Sequence, residues 1–144
     1  MEQNSRVQNP LDFRIPHEQV VVVRETDIDE LGHVNNTVYL RWVQDIAIAH
    51  WQLIATPEQQ QEMVWMVLRH EIDYKAAARL NDEIILRTWI GIAEGLRFDR
   101  HTEILSMVRK PLAIARTVWC PVDPVTQRPK KVNSDVRRMF SAES

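Results

Sequence analysis

From Thr26 to Asn36 the chain reads Thr-Asp-Ile-Asp-Glu-Leu-Gly-His-Val-Asn-Asn, a stretch dense in side chains that titrate or hydrogen-bond. A carboxylate such as Asp29 can act as a base or as a nucleophile. Directly after Asn36 a helical pattern begins. The first turn of a helix has backbone N–H groups without intrahelical partners and a partial positive charge. Such a terminus stabilises a carbonyl oxygen that turns negative during acyl transfer. Carboxylate and helix start together point to attack on a carbonyl. Asp27 is the second carboxylate, and alternation along an extended segment would put it on the same face as Asp29. The same residue types also have plain structural uses. Asp29 can form a turn, Asn35 and Asn36 can cap the helix and brace the loop, and Gly32 can supply a positive φ.

The elements that must hold this stretch are readable from periodicity. Val20–Arg24 is β-branched and predicts a strand. Val38, Tyr39, Trp42, Val43, Ile46 and Ala47 recur at three- and four-residue steps, predicting a helix from about Thr37 to Leu53 with Asn35 or Asn36 as N-cap. Its wide apolar stripe predicts that it is mostly enclosed. Thr56-Pro57-Glu58-Gln59 has the pattern of a capping box with proline in the first turn, so a short second helix should end near Met63. Period-two alternation then predicts strands over Met66–Tyr74, Ile84–Ile92 and Phe98–Ile104, with a turn at Glu94-Gly95 and a last strand over Ala113–Val122. Strands at these short intervals make an antiparallel sheet. An apolar helix and such a sheet must cover each other. The fold class is therefore α+β, a curved antiparallel sheet wrapped around one long central helix. Residues 1–17, interrupted by Pro10 and Pro16, read as a flexible N-terminal arm, and residues 18–144 as one domain.

The length of 144 residues suits one domain. Eighteen Lys and Arg against twenty Asp and Glu give a net charge of −2, without the basic excess of nucleic-acid or membrane-surface binders. One cysteine, Cys120, excludes an internal disulfide framework and reads as a small buried side chain. The first residues lack the apolar core of a secretory signal, and no apolar run approaches the ~20 residues of a membrane span. A cytoplasmic location is the expectation. No His spacing suggests a metal site, and His50, on the apolar stripe, reads as a satisfied packing residue.

The run Asp-x-Asp-x-x-Gly-His-Val-Asn-Asn-x-x-Tyr followed by an apolar helix resembles the hotdog-fold acyl-CoA thioesterases, the 4-hydroxybenzoyl-CoA type and its acyl-acyl-carrier-protein relatives. The likeness extends from about Val20 to Val132, through Glu71-Ile72-Asp73-Tyr74-Lys75 and Ala115-Arg116-Thr117-Val118-Trp119. It implies a single hotdog domain, a homodimer or homotetramer, and no metal or redox cofactor. It implies that Asp29 attacks the thioester or activates water, and that the Asn36 backbone N–H polarises the carbonyl. One branch has His at the Asn36 position, which this chain lacks. Another uses Asp, Asn and His at the positions of Asp29, Leu31 and His33. Leu31 departs from that pattern, leaving His33 either as a group that orients water or the carboxylate or as a structural residue.

The implied reaction is hydrolysis of an acyl-CoA or acyl-acyl-carrier-protein thioester to a free acid and a thiol. The alternatives are a non-catalytic acyl-CoA-binding hotdog protein and an enoyl-thioester hydratase or dehydratase. Arg128, Lys130, Lys131, Arg137 and Arg138 make the C-terminal tail basic, either as a solvated end or as donors to coenzyme A phosphates. Tyr39, Trp42 and Trp65 are candidates for limiting the acyl pocket.

Overall fold

The computed structural model describes residues 12–140. The elements follow the order strand β1 (His17–Val22), helix α1 (Asn36–Ile54), helix α2 (Pro57–Glu62), then strands β2 (Val64–Tyr74), β3 (Glu83–Glu94), β4 (Arg97–Ser106) and β5 (Pro111–Val122), and helix α3 (Ser134–Phe140). All strand pairs are antiparallel, and the sheet order is β1-β3-β4-β5-β2. The described chain is a single domain, one five-stranded antiparallel sheet with its helices.

The local rules act as the residue types require. Asn35 caps α1, its side-chain oxygen accepting the Thr37 N–H at 2.9 Å. At α2 the Thr56 hydroxyl accepts from the Gln59 N–H while the Gln59 side chain accepts from the Thr56 N–H, a reciprocal capping box. Gly95, with φ +60°, turns β3 into β4.

Three boundaries differ from the sequence reading. Strand β1 ends at Val22 because the Val23 N–H and C=O are taken by Asp82 and Asn81, in the loop before β3. In β2, a bulge at Leu68 breaks the alternation: Val67 pairs with Trp119 and Arg69 with Val118. Trp65 and Val67 therefore pack inward while Val64, Met66 and Leu68 stand exposed, and beyond the bulge Ile72 takes the inward side. Helix α3 was not expected; Val136, Met139 and Phe140, at i, i+3 and i+4, are buried.

Of the arm expected over residues 1–17, residues 1–11 lie outside the described residues. Phe13 is fully buried, stacked on Phe140 at 4.6 Å and on Trp51 at 5.7 Å, and its carbonyl accepts the Ile90 N–H. His17 opens β1.

The inner face of the sheet and the buried face of α1 form two apolar clusters. One joins Val38, Tyr39, Trp42, Val43 and Ile46 to Ile84, Leu86 and Ile104; the other joins Ala47, Trp51 and Ile54 to Phe13, Phe98 and Phe140. Polar side chains are buried as well. His50 of α1, Thr88 of β3, Arg100 and Thr102 of β4 and Thr117 of β5 are all 5% exposed or less. They hydrogen-bond to one another and to backbone, and Thr117 to His70 Nδ1, as buried polar groups must.

Candidate active site

The stretch between β1 and α1 folds into two consecutive turns. The first is a single 3-10 turn, Glu25–Asp27. It corrects the extended geometry expected here. Asp27 is 4% exposed, its carboxylate accepting the Arg24 N–H at 2.9 Å and pairing with Arg41 at 3.0 Å. It braces the loop against α1.

The second turn carries Asp29. Its N–H donates to the His33 carbonyl at 2.8 Å, and its carbonyl accepts the Gly32 N–H at 3.1 Å. Gly32 has φ +80°, so only glycine closes this turn without strain. The Asp29 Oδ1 accepts the Leu31 N–H at 2.9 Å and the His33 N–H at 3.3 Å. Its Oδ2 makes no hydrogen bond among the described residues, and the side chain is only half-buried. One carboxylate oxygen thus holds the loop while the other is available to a substrate.

Val34 and Asn35 then lead into α1, the Val34 N–H donating to Ala78 and the Asn35 N–H to the Asp27 carbonyl. Asn36 is the first helical residue, and its N–H has no partner among the described residues. The first turn of α1 contains no acidic side chain to offset the dipole of a 19-residue helix.

Asp29, His33 and Asn36 line one cavity of about 470 Å³, together with Tyr39, Tyr74 and Lys75. Tyr39 builds its wall. The Tyr39 hydroxyl accepts the Ala78 N–H at 3.0 Å, tying the segment after β2 to α1, and burial raises its pKa. Tyr74 and Lys75 went unassigned to a site by sequence reasoning. Their only signal was their place in the Glu71–Lys75 segment of the family resemblance. Lys75 is exposed and supplies a cation to the cavity.

The other candidates lie elsewhere. Trp65 lines a different cavity and Trp42 lines neither. None of the basic tail residues lines the Asp29 cavity. Lys130 donates to the Glu62 carbonyl, Arg137 to the carbonyls of Ala93 and Gly95, and Arg138 pairs with Asp135.

A protein-family model described as the thioesterase-like superfamily matches residues 23–140. Among solved structures, the chain is similar to a probable thioesterase from Escherichia coli (20% identity, TM-score 0.72, covering 85% of this chain and 94% of that one). It is also similar to a DHNA-CoA thioesterase from Staphylococcus aureus (15% identity, TM-score 0.79, covering 89% and 90%). A 12:0-ACP thioesterase from Umbellularia californica aligns over 88% of this chain and 51% of its own length, at 13% identity and TM-score 0.75. At these identities the likeness is one of fold. No curated protein matches by sequence.

Proposed function

Because the chain belongs to the thioesterase-like superfamily, we propose that it hydrolyses an acyl thioester of coenzyme A or of acyl carrier protein, with Asp29 as the reacting carboxylate and the start of α1 as the oxyanion site. The observation that carries this reading is the shared cavity: the Oδ2 of Asp29 and the N–H of Asn36, both without partners among the described residues, belong to residues that border the same space. The thioester carbonyl oxygen accepts from the Asn36 N–H and gains negative charge as the carbon is attacked. Asp29 either adds Oδ2 to that carbon, giving a mixed anhydride that water then opens, or takes the proton from the attacking water. In both routes the C–S bond breaks, the thiolate leaves and picks up a proton, and the acid is released. His33 borders the reacting space and orients the water or the carboxylate.

In a hotdog domain, a sheet curled around α1, this terminus would open on a cleft that a second copy completes. Edge strand β2 supports a homodimer or homotetramer. Its unpaired edge carries Val64, Met66 and Leu68 in exposed positions, and an apolar edge of this kind is a liability unless covered. Among the described residues no helix is long and apolar enough to cross a membrane.

The test is a panel of short, long and aromatic acyl-CoA esters, followed by release of free thiol. Saturable release with at least one ester supports the reading. Binding without release from any ester of coenzyme A or acyl carrier protein contradicts it.

A further inference from the structure

A second cavity, of about 270 Å³, lies along the C-terminal half of α1 and shares no lining residue with the Asp29 cavity. From Asn36 to Ile48 the helix rises about 18 Å, at about 1.5 Å per residue. Trp51, Phe98 and Phe140 give this cavity aromatic walls, and Trp65, Trp119 and Arg100 also line it.

Its polar groups are unusual for an apolar pocket. Arg100 is 5% exposed. Its Nη1 donates to His50 Nδ1 at 2.9 Å and to the Thr88 hydroxyl at 3.1 Å, both neutral acceptors. Burial and the neighbouring Arg100 push the His50 pKa down to about 3, so the imidazole is uncharged at neutral pH. Burial lowers the Arg100 pKa to about 9, which leaves it protonated there. Among the described residues no carboxylate lies within ion-pair distance of Arg100. Two indole N–H groups, Trp65 Nε1 and Trp119 Nε1, are buried without a partner among the described residues, and Trp119 is 8% exposed. Buried polar groups are normally paired, and a buried charge more strictly so. The cavity therefore offers one guanidinium, with no carboxylate in ion-pair distance of it among the described residues, beside aromatic walls.

We propose that this cavity binds a free carboxylic acid with a small apolar body, its carboxylate held by Arg100 and its body packed among Trp51, Phe98 and Phe140. A guanidinium favours the planar carboxylate. The aromatic walls exclude strongly hydrated anions such as inorganic phosphate. The site is independent of the Asp29 cavity, although its ligand belongs to the class of product that thioester hydrolysis releases.

The test titrates the full chain at neutral pH with benzoate and hexanoate, and in parallel with benzamide and hexanamide, following tryptophan fluorescence and the five indole N–H signals by NMR. The acids are expected to bind saturably, at least tenfold more tightly than the amides, and to shift the indole signals of the lining residues Trp51, Trp65 and Trp119. Trp119→Phe is expected to remove one of the shifted signals and so assign it to this cavity. Arg100→Met is expected to abolish the preference for acid over amide. Asp29→Asn is expected to leave binding unchanged. Equal binding of acid and amide, or no binding of either acid, overturns the proposal with the wild-type chain alone, whether or not Arg100→Met folds. A changed affinity for the acids in Asp29→Asn overturns it too, because the ligand would then sit in the other cavity, where removing the Asp29 charge favours an anion.

Discussion

Asp29 and His33 are tied to each other in both directions: the Asp29 N–H donates to the His33 carbonyl at 2.8 Å, and the His33 N–H donates to the Asp29 carboxylate at 3.3 Å. This closure fixes the carboxylate by one oxygen. A group so held is pre-positioned, and pre-positioning is a large part of what a catalytic group contributes. The loop's ion pair, Asp27 with Arg41, anchors the preceding turn to α1.

Asn36→Pro tests the oxyanion donor without disturbing the helix. Proline is well suited to the first helical position, and Asn35 already has the extended conformation (φ −63°, ψ 138°) that a residue before proline prefers. The substitution removes the N–H that has no partner among the described residues, and with it the Asn36 side chain, for which Asn36→Ala is the control. Turnover in the thiol-release assay should fall by roughly 10²–10³-fold with the melting midpoint preserved, as for loss of one oxyanion donor. Unchanged turnover would place the oxyanion elsewhere.

Asn35→Ala should act on stability instead. It deletes the oxygen that accepts the Thr37 N–H, at a cost of about 1 kcal/mol in urea unfolding. A change indistinguishable from zero would mean that the loop, not the cap, holds the helix start.

Phe13→Ala should cost about 3–5 kcal/mol, the range for a large aromatic removed from a core. The ring is fully buried against Trp51 and Phe140. A loss below about 1 kcal/mol in urea unfolding would contradict this packing, since changes at exposed positions are that small.

Stability should fall as the pH drops below about 6.5. His50 is held neutral in the folded chain, with its pKa pushed down to about 3, whereas in the unfolded chain it titrates near its ordinary value. Between those values the unfolded state binds the extra proton, so acid favours unfolding, by at most about 1.4 kcal/mol per pH unit from this residue. Burial lowers His17 and His70 as well, which adds to the same trend. Urea unfolding at pH 7, 6 and 5 reads the slope, and His50→Gln should make it shallower, leaving what His17 and His70 contribute. A wild-type stability that does not change across that window would contradict a neutral, enclosed His50.

Much of the fold was legible because it rests on local chemistry. The capping residues Asn35 and Thr56 and the apolar stripe of α1 declared the helices, and period-two alternation declared the strands. The loop was legible through Gly32, whose positive φ the turn demands. What escaped depends on partners far apart in sequence. The bulge at Leu68 is fixed by pairing with β5, and alternation alone cannot register an extra residue. Asp27 turns inward because Arg41 reaches it from α1. The burial of Arg100 was not legible, because its meeting with His50 joins residues fifty positions apart. Helix α3 carried a readable i, i+3, i+4 pattern at Val136, Met139 and Phe140, masked by the basic residues around it.

The most direct measurement is turnover of Asp29→Asn on the best acyl-CoA substrate, with thermal melting alongside. Asparagine keeps an oxygen that can accept the Leu31 and His33 N–H groups, so the loop should retain its shape and the melting midpoint should hold. Thiol release should fall by at least about 10²-fold, the lower end of what a positioned acid–base group supplies. Near-normal turnover by a folded Asp29→Asn variant would contradict the account.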